Sequence, residues 1–227
     1  MTADTDTLSK NSVRAAVYVD GFNLYFLYFG MRAAGLHGSR WLNVFELAGK
    51  LGQDREVVSV NYYTADVKGG GGKSQRQRVY LAALAEVCPD LRIVRGKYQE
   101  RRQRCPECDN RWTTYGEKMT DVRIAVDIVT DAWSDQFDVA IVVTADSDLI
   151  PAIEAVRSKF GTDGETDQAK GVIVAFPPRR QSRELKIAAD DVFDINPSLI
   201  ENSQLPPIVP REGKPPLTRP ERWTRRD

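Results

Sequence analysis

Val139-Ala140-Ile141-Val142-Val143 is an unbroken apolar run that opens onto Thr144-Ala145-Asp146-Ser147-Asp148. A strand with one wet face alternates apolar and polar side chains. A β-branched run without alternation predicts a strand buried on both faces, as in a parallel sheet covered by helices. Comparable runs stand at Ala15 to Val19, Val57 to Tyr63, Leu91 to Val94 and Val172 to Phe176, with a short last strand over Val192 to Ile195. Helix-patterned stretches separate them: Leu24 to Met31, Val44 to Leu51 behind Asn43 as N-cap, Ser74 to Val87, Lys118 to Trp133, Ser147 to Phe160 and Ser182 to Ala189. This alternation predicts a doubly wound α/β fold with a mainly parallel sheet and helices on both faces. Ligands of such sheets gather at the carboxyl ends of the strands, so the residues that close each apolar run come first.

Four aspartates stand there or on an inward helix face. Asp20 ends the first run in Val19-Asp20-Gly21-Phe22-Asn23, where Gly21 permits a sharp turn and Asn23 can cap the helix that follows. Asp146 and Asp148 end the fourth run; their competing reading is an N-cap and a carboxylate complementing a helix dipole. Asp121 lies roughly 40° from the centre of an apolar arc of Val122, Ile124, Ala125, Val126, Ile128, Val129, Ala132 and Trp133, at about 100° per residue. Backbone N–H groups or an arginine could also hold a buried acid at that place. Asp127 and Asp131 fall opposite, with Arg123 and Thr130, and read as surface charges. Ionised carboxylates converging away from water are costly unless a cation joins them, which suggests Mg2+ or Mn2+.

Three motifs in order, Val19-Asp20-Gly21-Phe22-Asn23-Leu24-Tyr25, Glu117-Lys118-Met119-Thr120-Asp121-Val122 and Val143-Thr144-Ala145-Asp146-Ser147-Asp148-Leu149, resemble the NYN domain of LabA-like proteins, a branch of the PIN-like nuclease superfamily. The likeness spans about Arg14 to Ile195. It implies a PIN-like, Rossmann-like sheet whose acids hold a divalent cation for RNA phosphodiester hydrolysis. By position, Asp20, Asp121 and Asp146 match the metal-facing acids, Asp148 the additional acid and Asn23 the polar residue after the first strand. The same resemblance carries a rival expectation, since some LabA-like proteins are assigned as monooxygenases of pyridine-compound breakdown.

The chemistry is self-consistent without the family. Water cuts a phosphodiester when a nucleophile is activated and transition-state charge is neutralised, and Mg2+ ions can do both with few protein ligands. His37, the only histidine, rules out a histidine-pair ribonuclease mechanism. A phosphatase with Asp20 as nucleophile needs an acid two residues on, where Phe22 stands. Gly69-Gly70-Gly71-Gly72-Lys73-Ser74 fails as a phosphate loop of nucleotide hydrolases because Val67 occupies the first glycine position. The loop could still bring Lys73, Arg76 and Arg78 to a phosphate chain, or be a surface linker.

Formal net charge is zero, yet charge is segregated: Lys68 to Arg78 holds four basic residues and no acid, and Arg92 to Arg104 six basic residues and one acid. Such ribbons suit a polyanion such as single-stranded RNA, or are solvated faces. Cys105-Pro106-Glu107-Cys108 has the spacing of one zinc knuckle, in an inserted hairpin around 98–115 with Arg101, Arg102, Arg104 and Trp112 near. The second ligand pair is missing; two hairpins meeting in a homodimer could supply it, and reduced thiols without Zn2+ are the alternative. Tyr18, Tyr25, Phe26, Tyr28 and Phe29 cluster around the first turn, as core or as base-stacking rings.

The expected organisation is a disordered N-terminal segment over 1–12, a domain over 13–196 and a Pro/Arg-rich tail over 197–227. That tail holds seven of twelve prolines and reads as extended or disordered. No apolar stretch approaches the ~18 residues needed to cross a bilayer, and three cysteines make no even disulfide framework, so a cytoplasmic location is expected. The leading functional expectation is a divalent-metal-dependent ribonuclease; an RNA-binding regulator with little turnover is the alternative of a different class.

Overall fold

The computed structural model describes residues 12–24, 39–67, 72–161 and 168–224. The expected N-terminal segment up to residue 11, Tyr25, Phe26, Tyr28, Phe29, His37, Gly69, Gly70 and Gly71 lie outside them, as does most of the expected Leu24 to Met31 helix. Residues 21–24 are helical.

Seven strands form one sheet: β1 (Arg14–Asp20), β2 (Glu56–Ala65), β3 (Leu91–Arg104), β4 (Arg111–Lys118), β5 (Val139–Val143), β6 (Gly171–Phe176) and β7 (Asp191–Asp194). Their order is β4-β3-β2-β1-β5-β6-β7; every neighbouring pair is parallel except β3 and β4, which are antiparallel. The chain winds outward from β1 in one direction through β2 and β3, then returns to lay β5 on the other flank of β1. Doubly wound sheets bind ligands at such a reversal, beyond the carboxyl ends of the strands; here Asp20 and the Thr144-to-Asp148 segment stand at those ends of β1 and β5.

Side-chain alternation along β1 splits the core into two layers. Ala15, Val17 and Val19 face one layer with α1 (Val44–Gly52) and α2 (Lys73–Val87); Ala16 and Tyr18 face the other with α3 (Thr120–Trp133), α4 (Ile150–Phe160) and α5 (Arg183–Ala188). The α/β, doubly wound reading therefore holds. The sequence also places α1 correctly: Asn43 accepts the Glu46 N–H at 3.1 Å, and Val44, Leu47, Ala48 and Leu51 are buried at helical spacing.

Two expectations fail. In α3 the wheel puts Val122, Val126 and Trp133 inward and Asp127 and Asp131 outward. The helix is turned otherwise: Val122 is 66% exposed, Val126 52% and Trp133 51%, while Asp127 is only 8% exposed. The cause lies across the sheet. The Tyr63 hydroxyl of β2 donates to Asp127 at 2.9 Å and the Tyr18 hydroxyl of β1 to Asp131 at 2.7 Å. Arg92 and Arg123 also reach Asp127, at 3.0 and 3.1 Å. Buried phenols need acceptors, and these two acids supply them.

The second failure is the tail. Residues beyond Asn196 fold into α6 (Pro197–Glu201) and a hairpin of β8 (Ile208–Arg211) and β9 (Lys214–Thr218), turned at Gly213 with φ of 65°, then a 3-10 turn over Glu221–Trp223. Ile200, Leu205, Val209, Leu217 and Trp223 are buried against the α1/α2 layer. The Trp41 indole donates to Pro206 O at 2.8 Å, and the rings of Trp41, Tyr80 and Trp223 meet pairwise at 5.9–6.2 Å. Proline is compatible with this because Pro197 opens a helix, and a two-stranded hairpin has free edges where no ladder N–H is required.

The cysteine hairpin is continuous with the sheet: β3 keeps going past the parallel pairing with β2 and returns as β4, making an arm that ends at Cys105 to Asn110. Among the described residues no helix is long and apolar enough to cross a membrane.

Candidate metal centre

Asp20 is 1% exposed at the end of β1. Its Oδ1 accepts the backbone N–H groups of Phe22 and Asn23, both at 3.0 Å, while Oδ2 accepts Asn23 Nδ2 at 2.6 Å and the Thr144 hydroxyl at 3.2 Å. Asp20 itself thus caps the helix that begins at residue 21, the role expected of Asn23; its carboxylate is two and three residues ahead of the orphan N–H groups, the spacing a cap requires. Asn23 props the carboxylate instead, and among the described residues its own buried Oδ1 has no partner. Gly21 is obligatory, because a Cβ there would collide with the Tyr63 carbonyl oxygen and the Tyr62 ring.

Thr144, fully buried after β5, links the two strand ends. Its hydroxyl donates to Asp20 and accepts the Asp146 N–H at 3.1 Å. Sequence reasoning passed over this threonine, although a hydroxyl between a strand end and an acid was the available signal. Asp146 Oδ1 accepts the Asp148 N–H at 3.1 Å, opening the 3-10 turn Ser147–Leu149, so the capping reading of Asp146 is realised. It leaves Oδ2 of Asp146 and the Asp148 carboxylate for other partners.

Asp121, in the first turn of α3, closes the group. One carboxylate oxygen from each of Asp121, Asp146 and Asp148 lies within 4.8 Å of the others. The Asp121 carboxyl is pushed up to about 6, first by burial and then by the negative charges of Asp20, Asp146 and Asp148. Burial raises Asp20 as well, against the hydrogen bonds that favour its ionised form. The structure therefore brings Asp121, Asp146 and Asp148 together and sets Asp20 beside them, within electrostatic reach. With two donors on each oxygen, Asp20 has filled its usual acceptor capacity; the longest of the four bonds is the one from Thr144.

This donor set fits a hard divalent cation. Carboxylate oxygens suit Mg2+, Mn2+ or Ca2+ rather than soft metals, and mutual repulsion on this scale is relieved by a positive ion. Lys73, Arg76 and Arg78 lie on the first turns of α2, which leaves from the same carboxyl edge after β2; Lys73 and Arg78 are exposed, Arg76 partly buried, and Arg78 donates to Gln75 at 2.8 Å.

The match to the NYN domain family model runs over residues 14–196. The chain belongs to the NYN domain family. The NYN domain suggests the PIN-like nuclease superfamily, and the described residues hold an acidic cluster. A curated relative, 6-hydroxy-3-succinoylpyridine 3-monooxygenase HspA of Pseudomonas putida, is 25% identical over 95% of this chain and 77% of its own length. Coverage that high necessarily runs beyond the NYN domain into the C-terminal hairpin region, since residues 197–227 exceed the remaining 5%. A solved structure of a protein of unknown function from Vibrio parahaemolyticus superposes with a TM-score of 0.52 at 21% identity, covering 86% of this chain and 97% of that one. It shares the fold.

Proposed function

We propose that this NYN domain is a divalent-metal-dependent ribonuclease that hydrolyses phosphodiester bonds of single-stranded RNA. The observation that carries the reading is the convergence of Asp121, Asp146 and Asp148 at the switch point of the sheet, with Asp121 raised by the neighbouring acids. In this reading those three acids hold Mg2+ or Mn2+, and Asp20 joins as a fourth carboxylate when the Thr144 hydroxyl turns away. When bound, the ion supplies neutralisation of the charge that builds on the phosphoryl oxygens. Asn23 holds Asp20 by its amide N–H. Lys73, Arg76 and Arg78 seat the phosphate chain.

The test is cleavage of a single-stranded RNA pool by purified protein with Mn2+ or Mg2+. Activity that disappears in EDTA, and in Asp146→Asn with an unchanged circular dichroism spectrum, is the expected result. Equal activity in EDTA rejects the reading. RNA retention that falls steeply with salt and yields no product favours an RNA-binding regulator instead.

The likeness to HspA favours a second reading, oxidation of a hydroxypyridine in the manner of a LabA-like monooxygenase. It predicts consumption of NADH with such a substrate, which a ribonuclease does not show.

A further inference from the structure

Cys105 and Cys108 take no part in the acidic site. They stand in the turn Cys105-Pro106-Glu107-Cys108-Asp109-Asn110 at the tip of the β3–β4 arm. The turn is tightly closed: Cys105 N–H donates to Asn110 O at 2.8 Å, Asp109 N–H donates to Cys105 O at 3.1 Å, and Asp109 has a φ of 54°. Arg104 grips the Asp109 carboxylate through Nε and Nη2, each at 2.7 Å. Inside the turn the Cys105 sulfur faces the backbone N–H groups of Cys108 and Glu107 and the thiol of Cys108. Two sulfurs that meet inside one turn can reach a common metal ion. Cys105 is partly exposed and Cys108 exposed, so neither packs in a core.

A thiolate pair at this spacing is half of a structural zinc site, which takes four ligands in a tetrahedron. Among the described residues no third Cys, His, Asp or Glu joins these two in a metal-sized group. Cys88 is buried elsewhere, its thiol donating to Asn43 Oδ1 at 3.2 Å, and the single histidine could not supply two missing ligands.

We propose that the arm carries one half of a zinc site completed by the same Cys105–Cys108 pair of a second copy of this chain, so that one Zn2+ on four thiolates joins two arms tip to tip. The inference stands apart from the nuclease reading, because the acids offer oxygen donors and the arm offers sulfur.

The experiment loads the full chain, reduced and stripped of metal, with Co2+ as a spectroscopic substitute. Expected are a thiolate-to-metal charge-transfer band and strong visible bands of a tetrahedral thiolate site, saturating at about one metal per two chains, as a four-ligand site shared by two copies requires. Light scattering of the zinc-loaded protein then gives a dimer that chelator returns to monomer. The Cys105→Ser/Cys108→Ser variant lacks the band and stays monomeric with an unchanged circular dichroism spectrum. Should that variant not fold, Cys108→Ser alone is read the same way. Absence of the thiolate band, saturation at one metal per monomer, or a dimer that survives both chelator and the cysteine variants overturns the proposal.

Discussion

Asp121 is the residue at which charge, burial and function meet. Its carboxyl titrates near 6 when folded against an ordinary 3.8, so between those values the native state binds more protons than the unfolded chain. The contribution to stability is fully present below about 3.8, and it is lost as pH rises through about 6. In EDTA, Asp121→Asn is therefore expected to be more stable than the parent at pH 8 by about 1 kcal/mol, with the gap closing toward pH 4. This takes ~1.4 kcal/mol per pKa unit, discounted for partial solvent access. Urea unfolding at both pH values measures it; a pH-independent difference contradicts the repulsion. At this scale the sequence was legible in part. Asp20, Asp146 and Asp148 could be picked out because strand ends announce themselves by apolar runs, whereas Asp121 was found from its place on the helix wheel. The division of labour between Asp20, which caps, and Asn23, which props, could not, since both residue types serve either role.

Among the elements, α3 shows how a correct boundary can accompany a wrong face. Its extent follows from the sequence to within two residues, yet a wheel that ranks apolar side chains cannot see that Tyr18 and Tyr63 on the neighbouring strands need acceptors. Asp127 answers one of them and also balances Arg92 and Arg123. Asp127→Ala is expected to cost about 2–3 kcal/mol, because it leaves the buried Tyr63 hydroxyl without its acceptor and removes the anion that Arg92 and Arg123 share. Val122→Glu, on the exposed side, should change stability by less than about 0.5 kcal/mol. The wheel reading demands the opposite order, so a pair of denaturation curves separates them. The parallel strands, by contrast, were read directly, because continuous β-branched runs have few other uses.

For the whole molecule the C-terminal segment matters most. Composition suggested a loose tail, since prolines and arginines dominate its count; the apolar residues spaced among them carry the packing. Trp223 closes an aromatic trio with Trp41 and Tyr80, and Trp223→Ala is expected to lower stability by about 3 kcal/mol, in the range for emptying a buried indole site. A melting temperature unchanged by that substitution would show that the domain needs no such brace.

The same brace sets an order of events during synthesis. Trp41 leaves the ribosome early, and its covering ring is made only when residue 223 has been added, so the nascent domain must display a greasy aromatic face through most of its translation. Chains released before that point would keep the face uncovered, and that makes them the natural clients of chaperones and the first to aggregate.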